Sequence, residues 1–445
     1  MKQLLVAALL LGPVFSLQAQ EKKRIGTETA AQKEQRMAWW THDRFGMFIH
    51  WGLYALPARH EWVKHNERLT NEQYQKYFDL FNPNQFDPKS WAKQAKAAGM
   101  KYAVLTTKHH EGFCLFDSRY TDYKATNTLA KRDLVKEFVD AFRAEGIKVG
   151  FYYSLIDWHH PDFTIDGVHP QRGENMPDSA YDRLNKGKDM NKYRQYMKNQ
   201  ITELLTRYGK IDILWLDFSY PGKHGKGKDD WDAVNLLKMI RKLQPSIIVD
   251  NRLNLDEYED GADFLTPEQV KVEELAQYRG KTWETCQTFS GSWGYYRDEN
   301  SWKSTHELLQ LLIASVSKGG NLILNVGPTA RGVFDYRAQN ALGNIGDWMK
   351  GNSESIYGCT YAPESFKTPE KTMLTYNPTS KRLYVHLLDY NGKMVLPGYN
   401  GKIKYAQFLH DNSEVKFSAN GDDVELQLPE RKPNMEIPVI ELVLQ

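Results

Sequence analysis

Cysteine is scarce in this chain of 445 residues, which has three: Cys114, Cys286 and Cys359. So sparse and odd a set cannot build a disulfide framework, and stability has to come from a large core. No His-x-His or His-Glu-x-x-His spacing occurs, and His159 and His160 precede a proline in a loop-like stretch, which argues against a catalytic metal. No phosphate-binding glycine pattern opens a helix, so no cofactor is expected. An excess of one charge is also missing. Lys and Arg number 58 against 56 Asp and Glu, for a net charge of +2, which argues against nucleic acid or an anionic membrane surface as the main partner. One apolar run stands out, over residues 4–14 after Lys2. It is broken by Pro13 and followed by S-L-Q-A-Q. That run is too short to span a bilayer and reads as a secretory signal peptide over residues 1–20. The expectation is an exported protein, periplasmic or secreted, with no membrane anchor after cleavage. No cysteine precedes Cys114, so lipid attachment at the cleavage site is not expected.

Aromatic residues, by contrast, make up 13% of the chain, with 12 Trp and 25 Tyr. They suit a large core and equally a site that stacks on the flat faces of sugars. From about residue 44 to 350, strand-like and helix-like segments alternate, with strands expected at 44–51, 101–108, 147–154, 211–218 and 246–251. The helix-like segments carry apolar residues three and four apart, and several end at glycine. Repeated βα units on this scale imply a (β/α)8-type barrel, TIM-like and somewhat distorted. The distortion is expected over residues 252–300, where extended pieces at 264–269 and 281–288 lack a convincing helix between them. After Gly351 the pattern changes to short alternating strands separated by turns such as Y-N-G and A-N-G-D-D, which describes an antiparallel β-sandwich. The expected domains are therefore a barrel over residues 21–352 and a sandwich over residues 353–445.

In a parallel barrel, chemistry gathers at the C-terminal ends of the strands. The fourth strand, I-D-I-L-W-L-D-F, places Trp215 and Asp217 on one face, with a carboxylate closing an apolar strand. The same reasoning brings His50, the loop residues Glu61 and Trp62, His109, His110, Arg252 and Glu268 to the barrel mouth. Neighbouring residues on a strand point to opposite faces, so His109 and His110 can both face inward only if their strand has already ended. A polar mouth studded with tryptophan fits a hydroxyl-rich substrate. Two carboxylates across such a site suggest glycoside hydrolysis, one attacking the anomeric carbon and the other protonating the leaving oxygen. Asp217 is the expected nucleophile and Glu268 the expected acid/base, with Glu284, Glu61 and Glu111 as rivals for the second role. A strand-end Asp can also simply cap a neighbouring loop.

Seven strings occur in order: R-F-G-M-F-I-H-W-G, T-T-K-H-H-E-G-F, Y-Y-S, L-W-L-D-F, T-P-E-Q, S-W-G-Y and S-K-G-G-N-L-I-L-N-V-G-P. Over about residues 30–350 the chain thereby resembles the α-L-fucosidases of glycoside hydrolase family 29. The resemblance implies a retaining, exo-acting double displacement on terminal α-L-fucosyl residues, without metal or organic cofactor, on a distorted barrel followed by a β-sandwich. It makes Asp217 the nucleophile and matches Glu268 best as acid/base, with Glu284 in reserve. It implies a fucose pocket of His50, Glu61, Trp62, His109, His110, Tyr152, Trp215, Arg252 and Trp293, and fucosylated oligosaccharides or glycoconjugates as partners. Fucose is a 6-deoxy sugar, so such a pocket needs polar groups for three ring hydroxyls and an apolar wall for the methyl. Two alternatives stand beside this reading: a non-catalytic glycan-binding protein, and a relaxed hydrolase that also takes α-L-galactosides, since an apolar pocket rejects an added hydroxyl only weakly.

Overall fold

A computed structural model describes residues 22–390 and 392–445. The expected signal peptide lies outside the described residues, and among those described no helix is long and apolar enough to cross a membrane. Seven parallel strands form one curled sheet: β1 (Phe45–Ile49), β2 (Tyr102–Lys108), β3 (Lys148–Ser154), β4 (Ile213–Asp217), β5 (Ile248–Val249), β6 (Glu284–Thr288) and β7 (Asn321–Val326). Their order is β5-β4-β3-β2-β1-β7-β6. Every residue of these strands is buried except Lys148, the first of β3, and helices on the outside supply the crossovers that parallel strands require. Helix Leu134–Ala144 shows the local logic: Asp133 caps its first turn, and Leu134, Val135, Phe138, Val139 and Phe142 form its buried face.

The gap between β5 and β6 is where the sequence departs from the βα pattern. Residues 264–268 fill it as an eighth stave, held by the parallel bridges Asp250–Phe264, Leu265–Trp283 and Glu268–Cys286. Pro267 offers a carbonyl to Cys286 N–H at 3.2 Å but has no N–H of its own, so a regular ladder cannot form here. The barrel is closed by this irregular stave, and Glu268 rides on it.

The barrel interior is an aromatic stack separate from the outer core, built from Phe48, Tyr102, Tyr152, Trp215 and Phe264 and joined by Trp40. Trp40 belongs to helix Ala30–Asp43, which opens with a Thr29–Gln32 capping box. This helix meets the N-terminal strand ends: Asn321, the first residue of β7, donates to the Trp40 carbonyl at 2.8 Å. It therefore plugs the barrel floor, opposite the end where the chemistry is expected.

The first strand of the sandwich is β8 (Thr360–Tyr361). A five-stranded sheet orders β12 (Ile403–Phe408), β15 (Val439–Leu444), β10 (Arg382–Leu387), β9 (Thr372–Asn377) and β8, and faces a three-stranded sheet of β11 (Lys393–Leu396), β14 (Asp423–Gln427) and β13 (Phe417–Asn420). Alternating residues such as Leu383, Val385, Leu387, Leu426, Ile440 and Leu442 form its core. It docks on the outside of the barrel, where Trp348 Nε1 donates to Ile437 O at 2.8 Å and Arg44 Nε to Cys359 O at 2.8 Å.

Candidate active site

The C-terminal strand ends enclose a small cavity of about 80 Å³, the scale of one sugar ring and not of an extended chain. Of the residues expected to form the site, His50, Trp62, His109, His110, Tyr152, Trp215, Asp217, Arg252, Glu268 and Trp293 all line it. No residue of the sandwich does. Parallel register explains part of this convergence, since Tyr152 pairs with Trp215 and Ser154 with Asp217 across β3 and β4. Strand β2 ends at Lys108, so His109 and His110 escape strand alternation and both reach the cavity, with ring centroids 4.0 Å apart.

Asp217 sits at the centre. Its Oδ2 accepts from the Tyr152 hydroxyl at 2.7 Å and its Oδ1 from Arg252 Nη1 at 3.1 Å. Burial lifts its carboxyl to about pH 6; Arg252 opposes that rise, Glu268 adds to it, and the hydrogen bonds from Tyr152 and the Phe218 N–H oppose it. The result is a group that is mostly ionised at neutral pH yet poorly solvated. Phe218, the next residue, has φ of 84°, which is unusual for a bulky side chain. It turns the chain at the strand end and puts the Phe218 ring in the cavity wall, 4.9 Å from His110 and 5.5 Å from Trp62.

Arg252 ties the two expected catalytic carboxylates together. Besides Asp217, its Nη2 donates to Glu268 Oε2 at 2.8 Å, and its Nε donates to Thr266 Oγ1 at 2.8 Å. The guanidinium lies over Trp215, 4.9 Å from the ring centroid, a cation–π contact in a poorly solvated place. The two carboxylates differ in access: the Asp217 side chain is 12% exposed and that of Glu268 43%. One is walled in and the other stands at the rim, where it can exchange protons with water.

The three pocket histidines are neutral. Burial takes His50 down to about 3, against a small opposing effect from Asn325, and pushes His109 and His110 well below the usual imidazole value. Hydrogen-bond partners fix the tautomers of His50 and His110. Asn325 Nδ2 donates to Trp293 O at 2.7 Å, so its Oδ1, 2.6 Å from His50 Nδ1, accepts from that nitrogen. Ser154 Oγ donates to Ile156 O and thus accepts from His110 Nδ1, both at 2.7 Å. In His50 and His110, therefore, Nε2 carries the lone pair. The 3.8 Å approach of His110 Nε2 to Asp217 Oδ2 is accordingly no ion pair, and both atoms are acceptors for the hydroxyls of a ligand.

The other carboxylates separate cleanly. Glu61 does not line the cavity: its Oε2 accepts from Ser292 Oγ, Trp293 N and Gly294 N at 3.0, 3.1 and 2.9 Å, so it holds the loop that presents Trp293. Glu284, the reserve acid/base, is the first residue of β6 and lies fully buried at the floor. Glu111 is buried behind the β1 loop, bound by Leu53 N at 2.9 Å and the Tyr74 hydroxyl at 2.5 Å. Among the described carboxylates, only Glu268 shares the cavity with Asp217. Sequence reading missed Phe48, Phe218 and Cys286 in the lining, as well as Asn325, Ser154 and Thr266 behind it. Phe48 was within reach of it, being two residues before His50 on β1 and hence on the same face; Ser154 and Asn325 act through contacts between strands that no local pattern reveals.

A family model described as alpha-L-fucosidase matches residues 14–354 of this chain. Tissue alpha-L-fucosidase of Homo sapiens is 30% identical over 380 residues, covering 80% of this chain and 76% of that protein. Among solved structures, alpha-L-fucosidase isoenzyme 1 from Paenibacillus thiaminolyticus superposes with a TM-score of 0.85 at 46% identity, covering 93% of this chain and 99% of that one. A family 29 alpha-L-fucosidase from Bacteroides thetaiotaomicron, trapped as a covalent intermediate with 2-fluoro-fucosyl fluoride, superposes with a TM-score of 0.79 at 28% identity, covering 96% of this chain and 98% of that one.

Proposed function

The chain belongs to the α-L-fucosidase family, and from that premise we infer that Asp217 and Glu268 carry its reaction. The protein is a retaining α-L-fucosidase, a glycoside hydrolase that works through a covalent fucosyl–enzyme intermediate. The observation that carries the assignment is the single guanidinium of Arg252 donating to both Asp217 and Glu268 inside the one cavity that also collects the histidines.

In the first step an Asp217 oxygen bonds to the anomeric carbon while the bond to the aglycone oxygen breaks, and protonated Glu268 gives its proton to that oxygen. In the second, Glu268 as carboxylate takes a proton from water, the water oxygen bonds to the anomeric carbon, and Asp217 is released as carboxylate. Two inversions give net retention. Tyr152 and Arg252 hold the attacking carboxylate in place before reaction, which supplies orientation. His50 and His110 offer Nε2 lone pairs to ring hydroxyls, and Trp62, Phe218 and Trp293 give the apolar wall that a deoxy sugar's methyl needs. The small cavity supports exo action on terminal fucose of oligosaccharides or glycoconjugates, and the apolar stretch at residues 4–14 supports export.

Asp217→Ala should abolish release from an aryl α-L-fucoside in a protein that still unfolds cooperatively; near-normal turnover would sink the assignment. Glu268→Ala should lose far more activity on substrates with poor leaving groups than on activated aryl fucosides, and an equal loss on both would remove Glu268 from the acid/base role.

A further inference from the structure

Below the pocket, the barrel interior holds a carboxylate that the reaction does not use. Glu284 is 0% exposed. Its Oε2 accepts from the Tyr102 hydroxyl, which in turn receives Asn321 Nδ2 at 3.3 Å. Room for that phenol is made by Gly46 on β1, where an added Cβ would sit 2.2 Å from the Tyr102 ring. The other oxygen, Oε1, has no closed hydrogen bond, and neither do the indole N–H groups of Trp40 and Trp215. Both indoles nevertheless lie near enough to favour the charged form of Glu284. Three buried polar atoms are thus left facing one another at the centre of the barrel, where each unmet group carries a cost.

Trp215 is the link to the chemistry. Its N–H end lies toward Glu284, while its ring lines the cavity and carries Arg252 at 4.9 Å from the centroid. We propose that Glu284 is a positioning residue of the active site: from the barrel floor it fixes the indole of Trp215, and through that ring the seat of Arg252 on Asp217 and Glu268. The proposal rests on the fucosidase reading of those two carboxylates.

Burial favours the neutral form of this acid. Among the described residues no cation reaches it: Arg44, beyond Asn321, donates to Asn321 Oδ1 at 3.2 Å and to backbone carbonyls. Burial lifts Glu284 to about 8, opposed by Tyr102, Trp215 and Trp40. Its titratable neighbours, Tyr102 on β2 and Cys286 on β6, are held protonated by the same burial. Glutamine therefore preserves the shape without the titration, whereas leucine takes the acceptor from the Tyr102 hydroxyl and removes the carboxyl group beside the Trp40 and Trp215 indoles.

The test compares kcat and KM on an aryl α-L-fucoside from pH 5 to 9 for wild type, Glu284→Gln and Glu284→Leu. Near pH 6 the Leu variant should lose about tenfold or more in kcat with little change in KM, while the Gln variant stays within about threefold of wild type. The alkaline fall of kcat should move to higher pH in the Gln variant. A folded Leu variant with normal kcat overturns the proposal, and so does a Gln variant as damaged as the Leu one. Should the Leu variant fail to fold, an alkaline limb in Glu284→Gln identical to wild type overturns it. Fucose release by the wild-type enzyme in the same assay tests the underlying reading separately.

Discussion

The mouth and the floor of the barrel are built from the same parts and come out opposite. Each holds a buried carboxylate bound by a tyrosine hydroxyl, Asp217 by Tyr152 and Glu284 by Tyr102, and the indole of Trp215 lies between them. Desolvation raises both acids, to about 6 at the mouth and about 8 at the floor. What separates them is Arg252, which contacts Asp217, whereas no cation among the described residues pairs with Glu284. Burial alone favours a neutral acid; burial with one guanidinium favours a carboxylate.

The comparison breaks most sharply if the cation is removed. Arg252→Met should turn the mouth into a second floor, pushing Asp217 further above pH 6 and lowering kcat/KM on an aryl fucoside by about a thousandfold at pH 6. The acid limb of the pH profile should move upward with it. Activity within tenfold of wild type would mean that the tyrosine and the Phe218 N–H suffice to hold the charge.

The floor is tested through stability. A carboxyl raised from 4.5 to about 8 on folding contributes stability that is full below the unfolded value and lost as pH rises through the folded one. The relevant window is therefore pH 4.5 to 8. Removing that titration in Glu284→Gln should stabilise the protein by roughly 3 kcal/mol at pH 7. Thermal midpoints should show the Gln variant ahead at pH 8 and the gap closing towards pH 4.5. A constant gap would mean that Glu284 does not change protonation on unfolding.

The tyrosines give the smallest contrast. Tyr152→Phe should lower kcat about tenfold by loosening the nucleophile, and Tyr102→Phe about threefold, with the larger cost in thermal midpoint falling on Tyr102→Phe because it leaves a buried acid unmet. Equal kinetic losses would show that mouth and floor are coupled more tightly than one indole allows.

Much of this was legible in the chain. Strand ends such as F-I-H-W-G and L-W-L-D-F announced His50, Trp215 and Asp217 because in a parallel barrel position along a strand fixes position along the axis. The same rule, applied to H-H at the end of β2, left the pair unresolved until the strand was seen to stop at Lys108. The choice of acid/base was of another kind. Glu268 and Glu284 are 16 residues apart on adjacent extended segments, and while T-P-E-Q is the better match, spacing alone does not exclude the Glu of W-E-T-C. Only the register of the irregular stave, Glu268 opposite Cys286, raises the first to the mouth and leaves the second at the floor.

By itself, then, the sequence determined the barrel, the sandwich after it and most of the residues that line the cavity, Asp217 among them, because periodicity and strand polarity are local properties that sum to a known geometry. The tertiary structure decided the rest: that Glu268 and not Glu284 shares the cavity, that Glu61 holds a loop instead of lining the site, and that Asn325 and Ser154 set the histidine tautomers. Each of these depends on which side chain faces which across strands far apart in sequence, and on how much water is left there. Burial and partner choice are properties of the packed barrel and of no segment within it.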